Sequence, residues 1–234
     1  MLKVAFSIAV LMLAAGCASK SKPVALKPEI KSIAIISATT PAAFSLGNAN
    51  AVEFLFPVAG TLFYLDGRAK SKVFNEKFLA EPSTLAANFS EQVASALRGY
   101  GYQVQILEGL ARVPGDLDDV DYDTISTDAN AVLHLQFRDV GLYSPRSSTS
   151  YLPRVNARGT LFIKGRDDYL YDQDVYYGVD ARPGNSWAIA ADEKDAYPTF
   201  DAVVANLDDV RRTFAAGATE ISRRMSAQIH DSIK

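Results

Sequence analysis

Apolar positions change their period several times along this chain, and each change predicts a different element. Val4 to Leu13 is an apolar run behind Lys3, whereas Ala18 to Lys31 (ASKSKPVALKPEIK) is polar, lysine-rich and without period. The second stretch reads as a flexible tether. Ser32 to Ala38 (SIAIISA) is short, apolar and β-branched, which predicts a first, buried strand. From Thr39 to Leu79 the pattern is irregular, and within it Ala51 to Leu65 (AVEFLFPVAGTLFYL) is almost wholly apolar and aromatic. That run falls short of the ~20 residues of a bilayer span, and Pro57 and Gly60 interrupt it. It forms a broken core helix, or a helix and strand packed on the sheet, or an insertion presenting Phe54, Phe56, Phe63 and Tyr64 to a partner or a membrane surface.

Leu85, Phe89, Val93 and Leu97 then recur every four residues, which predicts a helix from Glu81 to Tyr102 with one apolar face. Ser83 or Thr84 is placed to cap its start, and Gly99 and Gly101 stop it. Gln103 to Leu107 follows as an alternating strand. A long strand lies in Ala131 to Tyr143, where Leu133, Leu135 and Phe137 alternate with His134, Gln136 and Arg138. Val155 to Lys164 and Tyr169 to Tyr177 continue the alternation, and Gly165-Arg166-Asp167-Asp168 makes the hairpin turn between them. A polar loop, Ser144 to Arg154, joins the first pair and carries Arg146 and Arg154. Trp187 stands in an irregular stretch. From Thr199 to Lys234, Val203, Leu207, Val210, Phe214, Ile221, Met225 and Ile229 mark the stripe of one long helix or a helix pair. This order predicts an α+β fold: a mixed, mainly antiparallel sheet with helices packed on one side and a long C-terminal helix.

Composition narrows the chemistry. The formal charge of −3 speaks against nucleic acid, which needs clustered Lys and Arg. With 48 % apolar residues the chain has enough for a sizeable core. Asp116 to Asp128 (DLDDVDYDTISTD) gathers carboxylates, but it fails as a calcium loop. Counted from Asp119, Thr124 replaces the glycine and Asn130 the bidentate glutamate. Its expected use is negative charge at the start of a short helix. His134 and His230 are far apart in sequence. There is no G-x-S-x-G elbow, no H-E-x-x-H and no phosphate loop, and adjacent Asp167 and Asp168 point apart in a turn. No catalytic residue, metal site or cofactor is therefore expected, and the chain reads as a non-enzyme.

Cys17, the single cysteine, directly follows Leu13-Ala14-Ala15-Gly16 at the end of the first apolar run. This arrangement resembles the lipobox of bacterial lipoproteins, with Ala14 where the family prefers leucine. The resemblance implies removal of residues 1–16 as a signal peptide, acylation of Cys17, a tether over 17–31 and a periplasmic domain over 32–234. Each buried CH₂ of the lipid contributes about 0.8 kcal/mol, so several chains hold firmly. Ala18 in place of an aspartate favours the outer membrane. The alternative is an ordinary secretory signal cut after a small-x-small triplet such as Gly16-Cys17-Ala18.

The element order also resembles a group of envelope domains: lipoprotein activators of penicillin-binding proteins, curli-secretion lipoproteins and the N-terminal domain of the Tol propeller protein. The residues that carry it are Ser32 to Ala38, Pro82 to Tyr100 leading into Gln103 to Leu107, and Asp128-Ala129-Asn130-Ala131-Val132-Leu133. It implies a protein-binding scaffold or regulator of the envelope, held to the membrane by lipid, with another envelope protein as partner. The candidate partner-binding residues are Phe54, Phe56, Phe63, Tyr64, Arg146 and Arg154. The competing reading is a carrier of lipid or small molecules, with a pocket lined by Phe54, Phe56, Phe63 and Trp187.

Overall fold

A computed structural model describes residues 29–48, 57–108, 110, 112–113, 116–145, 150–166, 168–178 and 187–234. Cys17, Phe54, Phe56 and Arg146 lie outside the described residues. Phe63 and Tyr64 fall on a helix whose side chains there are also outside them.

The longest strand organises the sheet. Strand β6 (Ala131–Ser144) carries β7 (Leu152–Phe162) antiparallel along one edge, and β8 (Tyr169–Gly178) lies antiparallel beyond β7. On its other edge β6 is shared. β1 (Ser32–Ile36) pairs parallel with Ala131 to His134, and β2 (Ser45–Asn48) pairs parallel with Gly141 to Ser144. β3 (Gln103–Leu107) closes one side next to β1, and β9 (Ala188–Ala190) the other next to β8. The sheet is thus mixed, with long antiparallel pairings at its centre.

Register slips between Phe137 and Asp139, leaving Arg138 as a bulge in β6. One extra residue exchanges the faces of a strand. Leu133, Leu135 and Phe137 enter the main core before the bulge, and Val140 and Leu142 enter it after.

The four α-helices among the described residues lie on that core face: α1 (Pro57–Phe78), α2 (Leu85–Gly99), α3 (Phe200–Ala205) and α4 (Leu207–Ile233). In α2 the predicted stripe is buried throughout. The helix ends as a Schellman motif, in which Tyr102 N–H reaches Leu97 O and Gly101 N–H reaches Arg98 O. Gly101 takes the left-handed φ of 94° that this ending requires. The C-terminal stripe is a helix pair split at Asn206. Thr199 caps α3 by accepting from Ala202 N–H, and the Asn206 amide donates back to Ala202 O. α4 then crosses the sheet closely, because a Cβ at Gly217 would come within 2.6 Å of the Tyr177 ring. Gly159 makes matching room for Met225.

Of the alternatives for the apolar stretch, the described residues of 39–79 match the helix and strand packed on the sheet: Phe44, Phe74, Phe78 and Phe214 form one aromatic cluster that joins β2 and α1 to the core. Three expectations need correction. Asp116–Val120 is a strand, β5, paired with β4 (Arg112–Val113) in a separate ribbon. Only Tyr122–Thr124 makes a helical turn, a single 3-10 turn capped by the Asp121 carboxylate. Arg154 lies inside β7 and not in a loop, because β6 and β7 extend farther than the polar residues suggested. The folded chain also begins earlier than predicted, since Ile30 is already buried.

The ribbon and the 3-10 turn cover the lower half of the other sheet face. Val120 and Ile125 meet Ile36, Val132 and Phe162 there in a second small core. No helix among the described residues is long and apolar enough to cross a membrane.

One side chain fastens the point where the described chain enters the sheet. Asn130 Oδ1 accepts from Lys31 N–H, Ser32 N–H and Ser32 Oγ at 3.0, 3.1 and 3.1 Å, and Asn130 N–H donates to Ser32 Oγ at 2.9 Å. This ties the starts of β1 and β6 together. Asn130→Ala is expected to cost about 1–2 kcal/mol, read as a lower denaturant midpoint with an unchanged slope. An unchanged midpoint would mean that the clip contributes nothing.

Candidate functional site

Beyond the bulge a cluster of half-buried side chains stands on the second sheet face. Val140, Leu142, Val155, Ala157, Val175 and Tyr177 are buried toward the helices. Strand alternation therefore turns Asp139, Tyr143, Arg154, Asn156 and Tyr176 the other way. The ladder sets Asp139 beside Asn156 and Asn156 beside Tyr176, while Gly141 and Gly178 flank Arg154.

Arg154 is the centre of the cluster. Its guanidinium lies 3.7 Å from the centroid of the Tyr143 ring, and its Nε donates to the Tyr176 hydroxyl at 3.0 Å. A terminal nitrogen stands 3.7 Å from Asp139 Oδ2. Asp139 in turn accepts from Ser45 Oγ at 2.7 Å and from the Tyr143 hydroxyl at 2.8 Å. The Tyr143 ring lies against Gly47, where a Cβ would come within 2.7 Å of it. Residues from β2, β6, β7 and β8 thus hold one arginine with its planar face against a ring.

Burial works against the Arg154 charge, but the Tyr176 hydrogen bond and the two phenols outweigh it and raise the pKa. Burial also pushes the Tyr143 phenol up. At neutral pH the cluster therefore presents a cation among neutral phenols. The Arg154 side chain remains 26 % exposed. Trp187 extends the patch: its ring meets Tyr176 edge-on at 6.5 Å and is 43 % exposed. Arg, Tyr and Trp are the residue types that dominate binding energy at protein interfaces, most of all when already fixed in place.

The other candidates fall elsewhere. His134 is buried under the ribbon, its Nδ1 2.8 Å from the Tyr122 hydroxyl. His230 stacks on Tyr100 at 4.3 Å, with Nδ1 2.8 Å from the Tyr102 hydroxyl on the helix side of the sheet. The two histidines belong to different faces, so they form no pair. Among the described residues no group of three or more His, Cys, Asp or Glu is placed to hold a metal. An apolar depression among Phe44, Phe78, Leu85 and Phe214 measures about 90 Å³. Ligand pockets usually measure roughly 300–1,000 Å³.

Sequence reasoning named Arg154 and Trp187 but missed Tyr143, Tyr176, Asp139 and Ser45. The available signal was aromatic residues on the polar phase of Tyr169 to Tyr177, where solvent-facing strand positions are usually small or charged.

No family model and no curated protein matches the chain. Among solved structures it is similar to a DUF330 protein of Xanthomonas campestris, at 6 % identity and TM-score 0.43 over 90 % of this chain and 89 % of the other. It is similar also to protein CT253 of Chlamydia trachomatis, at 11 % identity and TM-score 0.40 over 86 % and 98 %. Lipoprotein GNA1162 of Neisseria meningitidis matches at 12 % identity and TM-score 0.30 over 65 % and 88 %. Likeness at this level carries no argument about function.

Below Arg154 a second ion pair marks the border with the covered half. Arg158 grips Asp172 with Nε to Oδ1 at 2.8 Å and a terminal nitrogen to Oδ2 at 2.6 Å, and Thr160 Oγ1 adds a third bond at 3.0 Å. Arg158 holds the Asp172 carboxyl below the usual carboxylate range. The pair therefore stabilises the fold above the unfolded-chain pKa of about 3.9, and this is lost as pH falls through the lower folded value. Asp172→Asn should lower the denaturant midpoint at pH 7 more than at pH 3. Equal losses at both pH values would exclude the ionic contribution.

Proposed function

We propose that this chain is a lipid-anchored, non-enzymatic component of the bacterial cell envelope that binds another envelope protein. Cys17 is the lipidated residue, residues 1–16 are the signal, and the folded part faces the periplasm from the outer membrane. The observation that carries the binding reading is the preformed Arg154–Tyr143–Tyr176 cluster with Trp187 beside it, on a sheet face that no helix among the described residues covers.

Its place in the fold supports the same reading. The tether enters where β1, β3 and β6 begin, whereas the cluster lies where β6 and β8 end. β6 spans 14 residues, which at about 3.3 Å each make roughly 45 Å. The start of β1 and the cluster therefore lie at opposite ends of β6.

Two measurements test this. Cys17→Ser should abolish palmitate labelling and retention with outer membranes; a variant that still labels removes the anchor. A photo-crosslinking residue is placed in the full chain in cells at Tyr169 or at Asp174, which is exposed on the same face as Tyr176. The Asp174 site should capture a protein and Trp187→Ser should reduce that capture severalfold without changing Tm. Capture that is equal from both sites, or unaffected by Trp187→Ser, would contradict the docking assignment.

A further inference from the structure

Next to the Arg154 cluster the sheet ends at an edge that faces a groove. β9 is the last strand on this side, and no strand lies beyond it among the described residues. A groove of about 820 Å³ runs between this edge and α4. Tyr177, Ile189 and Ala190 form its sheet side, and Thr213, Ala216 and Thr219 supply small side chains along the helix. An edge strand facing a helix across a groove is a geometry in which an extended peptide adds as a further strand, its main chain on the edge and its alternate side chains in the groove.

Charge specifies what that peptide carries. The groove is lined by four carboxylates, Asp192, Asp195, Asp209 and Glu220, against two cations, Lys194 and Arg212. Lys194 and Arg212 each stand 2.7–2.8 Å from a carboxylate, Asp192 and Asp209, and hold those two acids below their usual range. Asp195 accepts from the Tyr177 hydroxyl at 3.3 Å, and Glu220 pairs at 2.8 Å with Arg223, which lies outside the groove lining. Counted within the lining alone, carboxylates exceed cations by two, and one of these, Glu220, shares its charge with Arg223.

We infer that the groove between β9 and α4 binds an extended segment of a partner protein, pairing with the β9 edge and placing lysine or arginine side chains at alternate positions against Asp195 and Glu220. This deepens the docking reading above, on which it rests, by naming the chemistry of the partner. Strand alternation puts every second side chain on one side, so the matching motif is basic–x–basic, with the basic side chains passing over Ile189 and Tyr177 into the groove and the residues between them turned to the Tyr176 side of the sheet.

The test uses the full-length lipidated protein in detergent and a phage library of random nonapeptides. Selection should enrich sequences with Lys or Arg at alternate positions. A synthetic peptide of the enriched sequence should shift the fluorescence of Trp187, the only tryptophan. It should also slow amide exchange at Ala188 to Ala190. Glu220→Lys, a change on the helix surface, should weaken its binding about tenfold, while Glu220→Asp should retain it. Enrichment without basic residues, no enrichment at all, unchanged affinity in Glu220→Lys, or exchange at β9 unaffected by the peptide would each overturn the inference. Self-association through β9 in sedimentation would overturn it too, by assigning the edge to a second copy. Crosslinking in cells from Asp174, on the face of Tyr176 and outside the groove lining, is independent of this selection, so its persistence after such a failure would leave the docking reading standing and remove only the basic extended segment.

Discussion

The bulge at Arg138 is the constraint on which the rest of the molecule depends. A strand of fourteen residues with strict alternation would have placed Val140 and Leu142 on the open face. The extra residue returns them to the helix side and sends Asp139 and Tyr143 outward. It also divides β6 into two halves whose common edge pairs with β1 and then with β2. The first half buries His134, Val132 and Phe162 beneath the ribbon and the 3-10 turn, and the second half carries the Arg154 cluster. One inserted residue thus separates the half that holds the second small core from the half that holds the cluster.

Helix packing follows from the same division. α4 lies across β7 and β8, where Gly159 admits Met225 and Gly217 admits the Tyr177 ring. That close approach brings the α4 residues Asp209 to Glu220 to the groove beside β9. Tyr177 joins both roles. Its ring packs against α4, and its hydroxyl, pushed up to about 12 mainly by burial, donates to Asp195 in the groove.

Periodicity made most of this fold legible. The four-residue spacing of α2, the β-branched run of β1 and the hairpin at Gly165 are local patterns, and local chemistry decides them. The C-terminal split at Asn206 was less clear, because the apolar stripe runs through it. The bulge was written in the shift from Leu133, Leu135 and Phe137 to Val140 and Leu142, but a strand read only as far as Arg138 does not show it. β2 and β5 escaped for another reason. SLGN and DLDDV have low intrinsic strand preference and owe their conformation to partners distant in sequence. The candidate site was legible only in fragments, since Ser45, Asp139, Tyr143, Arg154 and Tyr176 meet through pairings that no short window contains. Arg154 was found for its charge and misplaced for its prolines: Pro153 occupies β7 itself, next to the arginine, and does not mark a loop.

The start of β1 and the fixed arginine–aromatic surface lie at opposite ends of β6, and in the function proposed above the binding end stands away from the bilayer. Trp187 is the single tryptophan and stands beside that surface, which makes it a direct probe of the arrangement. The decisive measurement is quenching of its fluorescence by brominated phospholipids, with the lipidated protein reconstituted in vesicles. The account predicts emission unaffected by bromine, with accessibility to aqueous iodide retained. Strong quenching by the brominated lipids would place Trp187 against the membrane and contradict that arrangement.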